Sequence, residues 1–366
     1  MKKKKLIFFM PSMEGGGVEK NLILIANFIC KHNIDVHLIS YDHKFKNKFD
    51  NRINFITPQF SNSKKSKYYK YFICLILLSV EIIKNKAIVF SFQANIYSII
   101  LCKVLRTKII IRSNSSPSGW NKNFFKNYIF SFFLKRSDQI IVNSLSFKKE
   151  LDKKFSTKST VIYNPLNKYE IIEKSKKKIN YNFFKKDTLN LINIARFTDQ
   201  KDHFLLLNAV NKLKDILNIR LLIMGYGVNK SKIEKFIKLN RLNKIIHLIN
   251  FQNNPYPYLR KSNIFILTSR YEGLPNVLLE ALTLKKFVIS TNCPTGPKEI
   301  LKNGSYGDLI RINNVKDLIE RILSYQKNKK VCDKKAYKGY LSLIKYDYDQ
   351  NCQKYLTVIN KLIKKI

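Results

Sequence analysis

The stretch from Ser269 to Glu299 constrains the fold more than any other part of the chain. It begins Ser-Arg-Tyr-Glu-Gly-Leu-Pro-Asn-Val-Leu-Leu-Glu-Ala-Leu, continues through Phe-Val-Ile-Ser and ends Cys-Pro-Thr-Gly-Pro-Lys-Glu. The short apolar run just before it, Asn263 to Thr268, predicts a buried strand. Pro275 suits the first turn of a helix, where its missing N–H would be unpaired in any case. From Val277 to Leu282 that helix is apolar almost all round, and Phe287 to Ser290 supplies the next strand. Strand, loop, buried helix and strand make a βαβ unit, and open parallel sheets bind ligands in the loops at the carboxyl ends of their strands.

Two carboxylates fall in this unit. Glu272 is on the loop and Glu280 lies inside the apolar helix, between Leu279 and Ala281. A buried carboxylate costs several kcal/mol without partners, so Glu280 needs donors. The two hydroxyls of a ribose would serve. So would an Arg or Lys, with Glu272 then only capping the helix, and the residues by themselves leave both readings open. Gly273 permits close approach of backbone to a ligand, and the N–H groups after it favour anions.

Glu272, seven intervening residues and Glu280, in this frame, resemble the signature of retaining GT-B glycosyltransferases of family 4. The resemblance implies an α/β fold of two Rossmann-like domains facing a central cleft. Residues 1–166 would be the acceptor domain, 167–344 the nucleotide-sugar donor domain, and 345–366 helices crossing back to the first. It also implies that Glu280 holds the ribose, while Glu272 and the backbone of Gly273, Leu274, Pro275, Asn276 and Val277 position the hexose. Arg196 and Lys201, in Ala-Arg-Phe-Thr-Asp-Gln-Lys after the predicted strand Leu189 to Ala195, match the pair that binds the donor diphosphate. Two cations on a loop after a strand suit such a clamp on physical grounds also. Gly225 and Gly227, ending the strand Arg220 to Met224, resemble the family's turn near the nucleotide base.

The N-terminal half reads the same way with weaker signals. Leu6 to Met10 predicts the first strand, and Val18, Leu22, Ile25, Ala26 and Ile29 recur at helical spacing after it. Gly16-Gly17-Val18-Glu19 between them resembles the family's Gly-Gly-x-Glu loop, near donor phosphates and acceptor; alone, such a turn often only closes a strand–helix corner. GxGxxG is absent. Further strands are expected at Asp35 to Ser40, Ile88 to Ser91, Lys108 to Arg112, Gln139 to Asn143 and Val161 to Tyr163. Many relatives carry a histidine after the Lys108 strand. That histidine contacts the donor sugar; this chain has Arg112 and Asn114 there instead, which resemble Arg-x-Asn loops of other relatives and stand as candidate sugar contacts, and what replaces the histidine stays open.

The formal charge of +43 admits a basic surface for phosphates, nucleic acid or an anionic leaflet, or simply a lysine-rich coding bias. Six scattered cysteines with no CxxC exclude a zinc site of usual spacing and point to reduced thiols. Tyr71 to Ile83 is too short, with Glu81 inside it, to span a membrane. Aromatics alternate with lysines from Trp120 to Phe133, which suits a membrane interface or an ordinary helix with a solvated basic face. The lone Asp-x-Asp, Asp347-Tyr348-Asp349, is not on a donor-domain loop, so no metal is expected.

The expected activity is transfer of a hexose or N-acetylhexosamine from a UDP-sugar, without metal or other cofactor. The expected acceptor is a polyprenyl-diphosphate-linked glycan of the O-antigen, capsule or N-glycan precursor kind, reached from the cytoplasm at the inner face of the membrane, with no nucleic acid involved. A nucleotide-cofactor oxidoreductase, a basic nucleic-acid-binding protein and a family member lacking activity are the alternatives.

Overall fold

The computed structural model describes residues 4–59, 65–114, 117 and 124–364. The chain divides into two compact units, Met1–Pro165 with Tyr348–Ile366, and Leu166–Asp347.

The first unit is a parallel sheet of seven strands. Along the chain it runs β1 (Lys4–Phe9), α1 (Gly17–Ile29), β2 (Ile34–Ile39), β3 (Asn54–Ile56), α2 (Lys67–Lys84), β4 (Ala87–Ser91) and α3 (Asn95–Val104). It continues with β5 (Lys108–Arg112), α4 (Phe124–Leu134), β6 (Gln139–Val142), α5 (Leu145–Phe155) and β7 (Ser159–Val161). The sheet order is β3-β2-β1-β4-β5-β6-β7, so the direction of winding reverses between β1 and β4. Strands buried on both faces must be apolar at every position, and Leu6 to Phe9 are all fully buried. Alternation divides them: Leu6 and Phe8 face a core with α1, while Ile7 and Phe9 face one with α2, α3 and α5.

The second unit runs α6 (Lys168–Ser175), β8 (Leu189–Ile194), α7 (His203–Leu213), β9 (Ile219–Gly225), α8 (Lys230–Leu239), β10 (Ile246–Asn250) and α9 (Tyr256–Lys261). Then follow β11 (Ile264–Leu267), α10 (Asn276–Thr283), β12 (Phe287–Thr291), α11 (Gly296–Ile300), β13 (Asp308–Ile310), α12 (Val315–Lys327) and α13 (Lys329–Leu341). Its six strands are ordered β10-β9-β8-β11-β12-β13, all parallel, with the reversal between β8 and β11. The last helix, α14 (Tyr348–Ile363), belongs to the first unit, where Tyr355, Leu356 and Ile359 complete the α1 core.

The α/β class and the parallel pairing agree with the sequence reading; several details differ. Helix α6 was not foreseen; its first turn is capped by the Asn167 side chain accepting from the Glu170 N–H at 3.0 Å. Pro275 stands one residue ahead of α10, at φ −71°. The strand expected at Val161 to Tyr163 lies at Ser159–Val161. Neither β3 nor β13 was foreseen, because three-residue strands carry too little periodicity to be read.

Candidate active site

At a point where winding reverses, the loops leaving two adjacent strands part in opposite directions and open a crevice. In the second unit the two loops are those after β8 and β11, which carry Arg196, Lys201 and Glu272. They are stitched together. The Thr268 hydroxyl donates to the Lys201 carbonyl at 2.8 Å, the Arg270 N–H to the Gln200 carbonyl at 2.8 Å, and the Gln200 amide to the Tyr271 carbonyl at 2.8 Å. Across this seam the Lys201 ammonium forms an ion pair with Glu272 Oε1, which also accepts from the Ser269 hydroxyl at 2.6 Å. Glu272 is 7% exposed, so the pair is largely shielded from water. Lys201 and Glu272, singled out separately, are therefore brought together.

Arg196 is exposed on the first of these loops, and the next residue, Phe197, is fully buried as its anchor. The loop lies flat against the end of β9. The Phe197 N–H donates to the Tyr226 carbonyl at 2.7 Å, and the Ala195 N–H to the Met224 carbonyl at 3.1 Å. A Cβ on Gly225 would stand 1.9 Å from the Ala195 carbonyl oxygen, and Gly227, at φ +147°, would put one 2.5 Å from that of Phe197. These glycines thus let backbone pack on the arginine loop, a contact that the sequence reading, which placed them near a base, did not anticipate.

The loop from Glu272 to Leu274 is held from its other side by the turn after β12. The Glu272 N–H donates to the Pro294 carbonyl at 2.5 Å, and the Thr295 hydroxyl to the Gly273 carbonyl at 3.0 Å. A Cβ on Gly296 would lie 2.3 Å from that Gly273 oxygen. The Pro-Thr-Gly-Pro run, Pro294 to Pro297, has this scaffolding role. Asn276 and Val277 open α10, and Glu280 within it is 5% exposed among Leu278, Leu279, Ala281 and Leu282, which are fully buried.

Two buried groups border the site. Burial, with the Lys201 charge adding to it, holds the His203 imidazole down to about 4, so it is neutral near pH 7. Burial first, then the Glu272 carboxylate, pushes the Cys293 thiol up to about 12, which makes it a poor nucleophile.

In the first unit the glycine-rich loop after β1 is braced through its own N–H groups. Ser12 donates to Gln93 Oε1 at 2.9 Å, Met13 to Asp42 Oδ2 at 2.8 Å, and Glu14 to Glu19 Oε1 at 3.0 Å. Asp42 is in turn ion-paired with Lys70 at 2.7 Å, both buried. Gly15 takes φ +91°, Gly16 caps α1 and Gly17 is its first residue. The glutamate of Gly-Gly-x-Glu therefore turns back to hold its own loop.

Arg112 departs from the expectation of a sugar contact. It is fully buried, and its guanidinium donates to the Tyr355 hydroxyl at 3.0 Å, to Asn164 Oδ1 at 2.5 Å and to Asn114 Oδ1, above the Phe92 ring. It ties β5 to α14 and to Asn164, and Asn114 is half-buried in the same network. Ser115, Ser116 and Trp120, part of the loop and aromatic segment read from sequence, lie outside the described residues. Among the described residues no group of three His, Cys, Asp or Glu side chains is placed to hold a metal ion.

Residues 174–341 match the family described as glycosyl transferases group 1. The chain is 27% identical over 351 residues to the N-acetylgalactosamine-N,N'-diacetylbacillosaminyl-diphospho-undecaprenol 4-alpha-N-acetylgalactosaminyltransferase of Campylobacter jejuni, covering 92% of this chain and 93% of that one. It is 32% identical to an uncharacterised glycosyltransferase of Methanocaldococcus jannaschii over 205 residues, 53% of this chain and 50% of that protein. Among solved structures, Anabaena HepE in complex with UDP and glucose superposes with a TM-score of 0.80 at 15% identity, covering 98% of this chain and 100% of that one. The group 1 match spans both loops of the second unit's switch point, the two parallel-sheet units have the GT-B fold, and the chain is a glycosyltransferase.

Proposed function

We propose that the protein is a retaining transferase that moves a hexose or N-acetylhexosamine from a UDP-sugar to a polyprenyl-diphosphate-linked glycan, at the inner face of the cytoplasmic membrane. The observation that carries this reading is the pairing of Lys201 with Glu272 across the switch point, beside Arg196 and the start of α10. The UDP donor is suggested by the HepE complex, and the lipid-linked acceptor by the name of the Campylobacter relative.

In this reading Arg196 and Lys201 hold the donor diphosphate, Glu280 accepts from the ribose hydroxyls, and Glu272 with Gly273 to Val277 positions the sugar. Gly225 and Gly227 act by fixing the Arg196 loop, and the Gly16–Gly17 loop serves the acceptor. The acceptor hydroxyl oxygen forms a bond to the anomeric carbon on the face that the diphosphate leaves. As the carbon–oxygen bond to phosphate breaks, its electrons stay on UDP, and the departing phosphate oxygen takes the acceptor's proton. Fixed cations and helix N–H groups can offset that growing charge, so no metal ion is required.

Titration calorimetry with UDP tests the donor site. A charge-assisted hydrogen bond contributes about 1.5–3 kcal/mol, so Glu280→Ala should weaken UDP at least tenfold. Unchanged affinity would remove the ribose assignment. Transfer from a labelled UDP-sugar should also persist in excess EDTA. Loss of transfer restored by Mg²⁺ or Mn²⁺ would overturn the metal-free mechanism.

A further inference from the structure

Helices covering a sheet normally turn an apolar stripe inward and a polar face to water. In the helix layer on one face of the first unit's sheet, α5 obeys this rule. Phe147, Leu151 and Phe155 are buried, and Lys149, Lys153 and Lys154 are exposed.

Its layer neighbours do not. Helix α2 buries Tyr71, Cys74, Leu78 and Ile82, yet its opposite side is apolar as well. Phe72, Ile76, Val80 and Ile83 recur there at helical spacing, with Phe72 63% and Ile83 73% exposed. The outer sides of α3 and α4 continue the pattern with Tyr97, Ile100, Val104, Tyr128, Ile129 and Phe132. α2 packs on α3 and α3 on α4, so the three outer faces adjoin. More than half of the exposed large apolar side chains among the described residues are on these three helices. A lysine- and isoleucine-rich coding bias does not explain this, because α8 and α12 of the second unit present charged outer faces.

The rim of this face is cationic. Lys65, Lys67, Lys84, Lys86, Arg106 and Lys135 are all exposed, and the Arg136 guanidinium lies 3.3 Å from the Phe132 ring centroid. Between Lys65 and Ser137 the single acidic residue is Glu81, and it is bound to Lys5 and His37. A second copy of this chain would bring like charge against like. A surface with an apolar interior and anionic headgroups complements both parts of the patch.

We propose that the outer face of α2, α3 and α4 docks on an anionic phospholipid bilayer. Phe72, Ile76 and Ile83 enter the headgroup–acyl boundary, and the lysine rim contacts phosphates. At 18 residues, α2 would lie along the surface for roughly 27 Å. No helix among the described residues is long and apolar enough to cross a membrane, so the contact is peripheral. The lipid-linked acceptor read above gives the docking its purpose, but binding needs neither donor nor acceptor and is tested without them.

The test is co-sedimentation of the full chain with phosphatidylcholine vesicles, with and without phosphatidylglycerol, for the wild type and two variants. The first variant is Phe72→Gln/Ile76→Gln/Ile83→Gln and the second is Lys84→Glu/Lys86→Glu/Arg106→Glu, all exposed positions. Wild type should bind the anionic vesicles, and each variant should lose at least tenfold in partitioning with unchanged melting temperature and UDP affinity. Failure of wild type to bind, or equal binding by the glutamine variant, overturns the proposal. A dimer in sedimentation velocity that the glutamine variant abolishes would assign the face to a second copy instead. Lost UDP affinity in the wild type, with vesicle binding intact, would count against the donor reading and leave the docking face standing.

Discussion

Lys201→Ala is expected to lower turnover by about 10²–10³, with a smaller change in the Michaelis constant for the donor. A preorganised cation aimed where charge develops contributes this order of magnitude, because its interaction strengthens as the leaving group departs. Lys201 meets the requirement of preorganisation. Its backbone is tied to Thr268, and its ammonium is already held at the switch point by Glu272. Arg196→Ala should act in the same direction, since it stands on the same loop. Steady-state kinetics with varied UDP-sugar separates the two parameters. Wild-type turnover in both variants would mean that the diphosphate is held elsewhere. Glu272→Gln serves as the companion, because it removes the ion pair while keeping the lysine.

Gly225→Ala should destabilise the protein by about 2–4 kcal/mol, the range of severe overpacking. The new methyl would stand 1.9 Å from a backbone oxygen, and also 2.9 Å from the Phe197 ring. A flexible side chain could swing aside, but the Ala195 carbonyl belongs to a loop pinned on both sides to the end of β9. Relief requires the Arg196 loop to move, so donor affinity should fall together with stability. Gly304→Ala is the contrasting control: it has a backbone difficulty at φ +94°, which Gly225 lacks, yet meets nothing within 4 Å. Its cost should be near 1 kcal/mol. Urea unfolding reports both, as a shifted midpoint at constant slope. Equal midpoints for Gly225→Ala and wild type would show that the close approach is not tight.

Legibility in the sequence followed the length of the physical signal. β1, β4, β9 and β11 each contain four consecutive buried apolar residues, and these runs announce themselves. Glu272 and Glu280 stood out because a carboxylate among apolar neighbours demands a partner. What the sequence could not supply was who that partner is. The Lys201–Glu272 pair joins positions 71 residues apart, and nothing local to either residue encodes the distance. Arg112 misled for the same reason. Its likeness to the Arg-x-Asn loops of relatives suggested a sugar contact, but its principal partners, Asn164 and Tyr355, arrive from 52 and 243 residues away. The glycines at 225 and 227 were visible as a turn, and Gly296 only as part of a Pro-Thr-Gly-Pro run. That each is a point where one loop rests on the backbone of another depends on tertiary contact.

The return of α14 to the first unit has a consequence for how the protein is made. Everything from Leu166 to Asp347 is synthesised before the helix that completes the core begun at residue 4. Domains tend to fold as the ribosome releases them, the earlier before the later. Here the earlier unit emerges unfinished: Tyr355, Leu356 and Ile359 are missing from its interior, and the buried guanidinium of Arg112 lacks one of its acceptors. The later unit, contiguous in sequence, can close first. A nascent chain arrested after residue 347 should therefore protect its second half from protease while its first half is still cut.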